Sequence, residues 1–258
     1  INVTIVEMAD QVMTPLDYSM AALVHQHLKT KNVEFFLKTA VSSFDRENDR
    51  ILVKMSSSKV IRTDMVILSI GVKPDSRLAK EAGLETGETG GIVVNEFMQT
   101  SDKDIYALGD AIEFTNPVTG TRMITYLAGP ANKQGRIVAD NIVRGNVKKY
   151  HGSINTAIAK VFDVTVAATG VSGKQLKKLN IPHVSSITHS SSHAGYYPGA
   201  LPMSIKITFS PGDGRLLGAQ IVGYQGVDKR IDLFAEAIRR GSTVHDLAEI
   251  EHAYAPPF

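Results

Sequence analysis

The 258-residue chain has no cysteine and no tryptophan. The missing cysteine excludes disulfides, thiolate metal ligands and a thiol nucleophile within these residues. Charge of one sign is also lacking: 28 basic and 26 acidic side chains leave a formal net charge of +2. With no long basic run, that balance argues against nucleic acid or an anionic membrane surface as a partner. No apolar stretch approaches the ~18–20 residues needed to span a bilayer. Residues 1–30 lack the basic start, apolar run and small-residue cleavage site of a secretion signal, so a cytoplasmic location is expected. No His/Asp/Glu cluster has metal-ligand spacing, and no Gly-x-Ser-x-Gly or Walker pattern occurs. What remains is a protein with 43% hydrophobic and 21% charged residues, enough to build a core. Its length fits one large or two ordinary domains.

The chain opens on Ile1-Asn2-Val3-Thr4-Ile5-Val6-Glu7, which reads as a buried parallel strand ending in an acid. In a dinucleotide-binding βαβ unit an acid at that position bonds ribose hydroxyls, about 20 residues after a Gly-rich turn. Only six residues precede Glu7, so the turn, first strand and first helix of such a unit are not among these residues. Leu16, Met20, Leu23, Val24, His27 and Leu28 follow at helical spacing. A strand is expected at Val33–Leu37, then a meander over residues 40–63 turning near Glu47-Asn48-Asp49. Asp64–Gly71, DMVILSIG, reads as another buried strand.

The stretch TSDKDIYALGDAIEF, residues 100–114, carries the most information. A β-type run, Asp104–Leu108, stops at Gly109-Asp110. A glycine there lets backbone approach a ligand, and the carboxylate can point out of the sheet. A short helix over 75–83 ending at Gly83, and a turn into a strand over Gly90–Asn95, precede it. A helix is expected from Leu127 to Gly145, with Ala131, Gly135, Val138, Ala139 and Ile142 on one face. Its start, Ala128-Gly129-Pro130-Ala131, is small, has an early proline, and leaves backbone N–H groups available to an electron-rich ligand.

Beyond Tyr150-His151-Gly152, strands are expected at Thr156–Phe162, Val164–Thr169, His183–Ser190, Met203–Phe209 and Leu216–Val222. Helices are expected near Lys174–Leu179 and over Val227–Arg240, which together indicate an α+β domain. Two patches stand out. One is a loop carrying His189, His193, Tyr196 and Tyr197 before Pro198-Gly199. The other is the terminal Glu251-His252-Ala253-Tyr254-Ala255-Pro256-Pro257-Phe258, which its prolines keep extended. His189 and His193 are the plausible acid–base histidines, both placed in the loop.

With Gly226-Val227-Asp228-Lys229-Arg230-Ile231-Asp232, these motifs resemble the coenzyme A-disulfide and polysulfide reductases of the FAD-dependent pyridine nucleotide-disulfide oxidoreductase family. The resemblance covers essentially the whole chain in order. It implies an α/β protein with partial Rossmann-like NAD(P) and FAD segments followed by an α+β dimerisation domain. The corresponding divisions are 1–72, 73–147 and 148–258. It also implies that Asp110 holds the ribityl chain of FAD, beside Gly109 and the returning Gly71. The 128–131 helix start would meet the pyrimidine edge of the flavin, and Glu7 would serve the nicotinamide nucleotide. Without a neighbouring cation for a 2′-phosphate, Glu7 favours NADH over NADPH. Tyr197, with Tyr196 less favoured, and Tyr254 from a partner subunit would flank the substrate thiol. His193 and Tyr196 would contact that substrate, coenzyme A disulfide or a polysulfide.

Several expectations follow from this resemblance. The protein would be a homodimer through its C-terminal domain. The redox cysteine would lie outside these residues, in a longer protein whose C-terminal portion this is, leaving an apolar sheet side uncovered. The fragment alone would be inactive. An NADH oxidase or peroxidase of the same fold, or a non-catalytic dimerising fragment, are the alternatives.

Overall fold

The computed structural model describes residues 1–258. β1 (Thr4–Val6) runs parallel to β2 (Glu34–Phe36), and α1 (Tyr18–Thr30) connects them. The apolar stripe of α1 is regular: Met20, Ala21, Val24 and Leu28 are buried together with Leu16 just before it. That stripe packs far along the chain, against Val164, Val166 and Val222. Full burial of side chains such as Met20 and Val24 contributes about 1.5–3 kcal/mol each.

β3 (Val41–Glu47), β4 (Arg50–Met55) and β5 (Val60–Thr63) form the antiparallel meander. Asn48 turns its first hairpin at φ 54°, a left-handed conformation that asparagine tolerates. Val53 and Met55 are buried, whereas every residue of β3 is exposed. Cross-strand ion pairs Lys54–Asp45 at 2.6 Å and Arg62–Glu47 at 2.9 Å decorate this small sheet.

The eight residues Asp64–Gly71 do not form the expected buried strand. They take no regular structure, pair with no strand, and expose Met65, Ile67, Leu68 and Ile70, the last at 89%. A strand needs a hydrogen-bonded neighbour, and β1 and β2 pair only with each other. The result is a contiguous apolar strip. The chain regains contacts at Ser76, whose hydroxyl donates to the Gly90 carbonyl at 2.7 Å.

α2 (Arg77–Glu81) ends before Gly83, which takes φ +77°. β6 (Ile92–Val93) then pairs in parallel with β7 (Ile112–Thr115), and β8 (Arg122–Met123) completes a three-stranded sheet. Asp104–Leu108 is a second correction. Only an isolated bridge, Gln99 to Tyr106, forms there, and the strand proper begins after Gly109-Asp110, which sit in a 3₁₀ turn over Gly109–Ala111. The Asp102 and Thr100 side chains capture local backbone N–H groups instead, building a turn where a ladder was expected.

α3 (Ala128–Arg144) ends at Gly145, left-handed at φ 80° as a helix C-terminus favours. Its buried face is Gln134, Ile137, Val138 and Asn141, which shares only Val138 with the expected one, while Ala131 and Gly135 are half-buried. Ala139 is exposed and Ile142 is 61% exposed. Two buried amides decide the rotation. Asn141 donates to the Phe97 and Lys148 carbonyls at 2.9 and 2.8 Å, and Gln134 faces Gly109. Polar side chains with fixed partners occupy positions that hydrophobicity alone assigns to solvent.

β9 (Ala157–Val161), β10 (Val164–Gly170), α4 (Gly173–Lys178), β11 (Val184–Ser191), β12 (Pro202–Phe209) and β13 (Leu216–Gly223) follow. Their strands form one antiparallel sheet in the order β11-β12-β13-β10-β9. α5 (Val227–Arg240) covers one face through Val227, Ile231, Ala237 and Ile238, and α1 covers part of the other. α6 (Val244–Ala248) carries a capping box between Thr243 and Asp246. The last residues, 249–258, have no regular structure apart from a turn in which Phe258 N–H donates to the Ala255 carbonyl at 2.9 Å. No helix is long and apolar enough to cross a membrane.

Candidate functional site

The Gly109-Asp110 elbow lies against the first turn of α3. Gly109 adopts φ +76°, and a Cβ there would come within 3.9 Å of the Ala131 Cβ. Gln134, fully buried one turn further along α3, accepts the Gly109 N–H at 2.7 Å and ties the elbow to the helix. Asp110 is exposed, and its carboxylate accepts no bond from this chain. The N–H groups of Ala128 and Gly129 are free, since the intrahelical ladder starts later, and nothing lies within 4 Å of a Cβ built on Gly129. Expected residues 109, 110 and 128–131 therefore meet at one place.

A cleft of about 490 Å³ opens at this helix end, between Gly129, Pro130, Lys133, Tyr150, Asp232 and Arg239. The Tyr150 hydroxyl and the Gln134 amide nitrogen are both buried, and the Gln134 side chain lies close enough to act on the phenol. Burial pushes the Tyr150 phenol up, against smaller lowering effects from Gln134 and Arg239. Free helix N–H groups, an open glycine and an exposed carboxylate are the chemistry that a polyhydroxy chain ending in an electron-rich heterocycle requires. The residues present thus fit a flavin nucleotide.

Glu7 follows β1 directly. Its N–H donates to the Phe36 carbonyl at 2.9 Å and its carboxylate accepts the Ala9 N–H at 2.8 Å. One carboxylate oxygen thus fixes its own turn. Gly71 takes φ +94° within the exposed stretch, a Cβ built on it would meet nothing within 4 Å, and no bond links it to the Gly109 elbow.

The tyrosine loop joins β11 to β12. Ser192, buried, closes its base: its N–H donates to the Leu201 carbonyl at 2.8 Å and its hydroxyl accepts the Leu201 N–H at 3.1 Å. The Tyr196 and Tyr254 hydroxyls lie 3.0 Å apart, both side chains exposed and both from one chain. Tyr197 instead packs edge-on against His193, with ring centres 5.9 Å apart. The hydrogen bond with Tyr254 raises the Tyr196 phenol above its ordinary value, helped by desolvation and by the Tyr254 charge. His193 pairs through Nδ1 with the Ser192 hydroxyl at 3.2 Å, its Nε2 unpartnered. His189 is not in the loop. It belongs to β11, where Nδ1 pairs with the Ser204 hydroxyl at 2.8 Å.

Three features escaped the sequence reading. Gln134 occupies a core position of an amphipathic helix, and a polar residue in that phase is the available signal. Arg230 lies in the singled-out Gly226–Asp232 motif and clamps the tyrosine loop. Asp17 bridges α1 to the distant sheet through partners at positions 173, 174, 206 and 220, and nothing local marks those.

Residues 1–135 match the pyridine nucleotide-disulphide oxidoreductase family, and residues 156–258 match the dimerisation domain of that family. The chain belongs to the pyridine nucleotide-disulphide oxidoreductases. An NADH oxidase of Methanocaldococcus jannaschii is 34% identical over 258 residues, 100% of this chain and 57% of the relative. An NAD(P)H coenzyme A polysulfide/persulfide reductase of Pyrococcus horikoshii is 33% identical over the same 258 residues, again 57% of that protein. The crystal structure of reduced Bacillus anthracis CoADR-RHD superimposes with a TM-score of 0.96 at 50% identity, covering 100% of this chain and 46% of that one. The chain spans about half the length of the curated relatives it matches.

Proposed function

We propose that the protein passes electrons from NAD(P)H through FAD to a disulfide or persulfide such as coenzyme A disulfide or polysulfide. The observation that supports this most directly is the exposed Tyr196–Tyr254 pair. In this reading Asp110 and Gly109 hold the ribityl chain, and the helix start at 128–131 meets the flavin edge, with the free N–H groups of Ala128 and Gly129 presented to it. Gly71 marks the chain's return toward the FAD segment, and Glu7 holds a ribose through its remaining lone pairs, which favours NADH over NADPH. When bound, FAD supplies the two-electron relay between nicotinamide and thiol chemistry. The redox cysteine comes from sequence outside these residues. Dimerisation through the sheet of β9–β13 with α5 brings the tyrosines to that centre in a partner subunit.

The stoichiometry is simple. A hydride brings two electrons and one proton, and a second proton from solvent completes reduction of RS–SR to two RSH. As the S–S bond breaks, one sulfur leaves as a thiolate. A thiol titrates near 8.5 and a phenol near 10, and Tyr196 is raised further. Tyr196 therefore keeps its proton and stabilises the thiolate as a hydrogen-bond donor, with Tyr254 fixing the hydroxyl's direction. His193 and Tyr197, packed edge-on against each other in the same loop, are the further groups offered to the substrate. An exposed site with two phenols suits a large thiol carrier that arrives from solvent.

The test compares the full-length, FAD-loaded protein with its Tyr196→Phe and Tyr254→Phe variants, using NADH with coenzyme A disulfide or oxygen as acceptor. The expected result is a loss of about 10²-fold in turnover with coenzyme A disulfide for each variant. Full disulfide turnover in both variants would refute the assignment. An unmodified protein that reduces oxygen and ignores coenzyme A disulfide would assign it to the oxidases.

A further inference from the structure

The start of α5 breaks a local rule. Its first turn carries Lys229 and Arg230 with a single acid, Asp228. Cations near a helix N-terminus oppose the helix dipole at a cost of about 0.3–1 kcal/mol. The N-cap is also unusual: Gly226 is left-handed at φ 67°, where extended backbone is the norm, and its side chain offers no cap. Such local conflicts concentrate where function overrides them.

The Arg230 side chain explains both oddities. Its guanidinium folds back over the helix start, donating from Nη1 to the Gly226 carbonyl at 2.9 Å and from Nη2 to the Ser192 carbonyl at 2.7 Å. A Cβ on residue 226 would lie 2.4 Å from Nη1, so only glycine leaves room for this arrangement. Ser192 is the buried residue whose N–H and hydroxyl close the base of the tyrosine loop on Leu201. The planar fork thus joins two carbonyls, one at the helix start and one at the root of the loop that carries Tyr196. A lysine ammonium, a single point donor, cannot reproduce that span.

We infer that Arg230, seated by Gly226, is a positioning residue that fixes the Tyr196 loop so that the Tyr196 hydroxyl meets both Tyr254 and the substrate sulfur. This inference rests on the tyrosine-pair reading above. It gives Arg230 a purpose within the Gly226–Asp232 motif, whose Val227 and Ile231 pack in the core and whose Asp232 lines the cleft. Arg230 touches no reacting atom. Its effect is carried by the short chain segment from Ser192 to Tyr196, and the Ser192–Leu201 bonds keep that segment from relaxing independently.

The experiment uses the full-length, FAD-loaded protein with NADH and coenzyme A disulfide, comparing Arg230→Met, Arg230→Lys, Gly226→Ala, Tyr196→Phe and the Arg230→Met/Tyr196→Phe double variant. A loop displaced by about 1 Å can cost on the order of 10²-fold. Arg230→Met is expected to lower kcat for the disulfide by about 10- to 100-fold, with the KM for NADH unchanged. Arg230→Lys should recover part of the loss. Gly226→Ala, which expels the guanidinium from the other side, should reproduce it if Arg230→Met does not fold. The double variant should be no worse than Tyr196→Phe, because both changes remove one function. In an ultraviolet titration of the phenols, Arg230→Met should bring the Tyr196 transition back toward the ordinary range.

Losses that simply multiply in the double variant, or disulfide turnover within twofold of the parent in both Arg230→Met and Gly226→Ala, would overturn the positioning role. In either case a defective Tyr196→Phe would leave the tyrosine-pair reading standing. A fully active Tyr196→Phe would remove that reading, and the inference with it.

Discussion

Asp17 joins the start of the chain to its C-terminal domain. It precedes α1, yet its carboxylate is engaged almost entirely by the C-terminal sheet and α4. It accepts the N–H groups of Gly173 at 3.1 Å and Lys174 at 2.9 Å, the Gln220 amide at 2.9 Å and the Lys206 ammonium at 2.8 Å. In return the Asp17 N–H donates to the Gln220 side-chain carbonyl at 2.8 Å. The side chains of Lys206 and Asp17 are only 12% and 8% exposed, so solvent screens the pair little. Asp17→Ala would leave a mostly buried ammonium and three further donors without an acceptor. Breaking one side of a buried pair costs about 3–5 kcal/mol. Asp17→Asn keeps the shape, loses the charge and turns an NH₂ group toward donors, for a cost of about 1–3 kcal/mol. Replacing both partners, Asp17→Leu with Lys206→Met, should recover only the part of the Asp17→Ala loss that comes from the unpaired ammonium, since the Gly173, Lys174 and Gln220 donors stay unmet.

The pH dependence supplies an independent check. Burial alone pushes the Asp17 carboxyl up. The Lys206 hydrogen bond, the Lys174 N–H, the Lys206 charge and the Gln220 bond outweigh it, leaving the group below the ordinary aspartate value. A depressed folded-state value means the stabilisation is complete above the unfolded aspartate range near 4, declines as pH falls, and is gone below the folded value. Denaturant unfolding of the parent and Asp17→Asn, followed from neutral pH into acid, should show the gap between them narrowing below about pH 4. A loss under about 1 kcal/mol for Asp17→Ala at neutral pH, or an acid limb identical in parent and Asp17→Asn, would refute the account.

Other perturbations have direct readouts. A Cβ on Gly91 would lie 2.8 Å from the Glu113 backbone nitrogen, so Gly91→Ala should part β6 from β7 and cost about 1–3 kcal/mol in denaturant unfolding. Asp110→Ala should weaken FAD retention in the full-length protein by about 10-fold or more, read from flavin absorbance after dialysis, with little change in melting of the apo-protein, since the carboxylate is exposed and unbonded. Thr243→Ala removes one half of the α6 capping box and should cost about 1 kcal/mol without affecting flavin.

Much of the fold was legible in local patterns. The five strands of the large sheet and the helix over Val227–Arg240 follow from strand-like runs and helical spacing, and their bounds differ from expectation by at most one residue at either end. The readings that missed share a cause: they needed knowledge of a neighbour. Asp64–Gly71 has the composition of a buried strand, but strand formation depends on an edge to join, and none of this chain's strands lies beside it. The Asp104–Leu108 run likewise lost its ladder to turn bonds from Thr100 and Asp102. The face of α3 was misassigned because Gln134 and Asn141 look like solvent residues until their backbone partners are known.

The site shows the same division. Gly109, Asp110 and the start of α3 were legible because their chemistry lies in residue type and chain order, and the structure brings them together. Which tyrosine of the adjacent pair meets Tyr254 was not, because that depends on how the loop after Ser192 folds, and the loop is held from outside by Arg230. A β-turn places Tyr197 N–H on the Ala194 carbonyl at 2.9 Å, which turns its ring onto His193 and leaves Tyr196 outermost. The α1 stripe and Asp17 join the Glu7 segment to the sheet from which this loop springs. In the proposed enzyme, nucleotide binding near Glu7 and thiol chemistry at Tyr196 share one rigid support, so Asp17 variants should loosen both together.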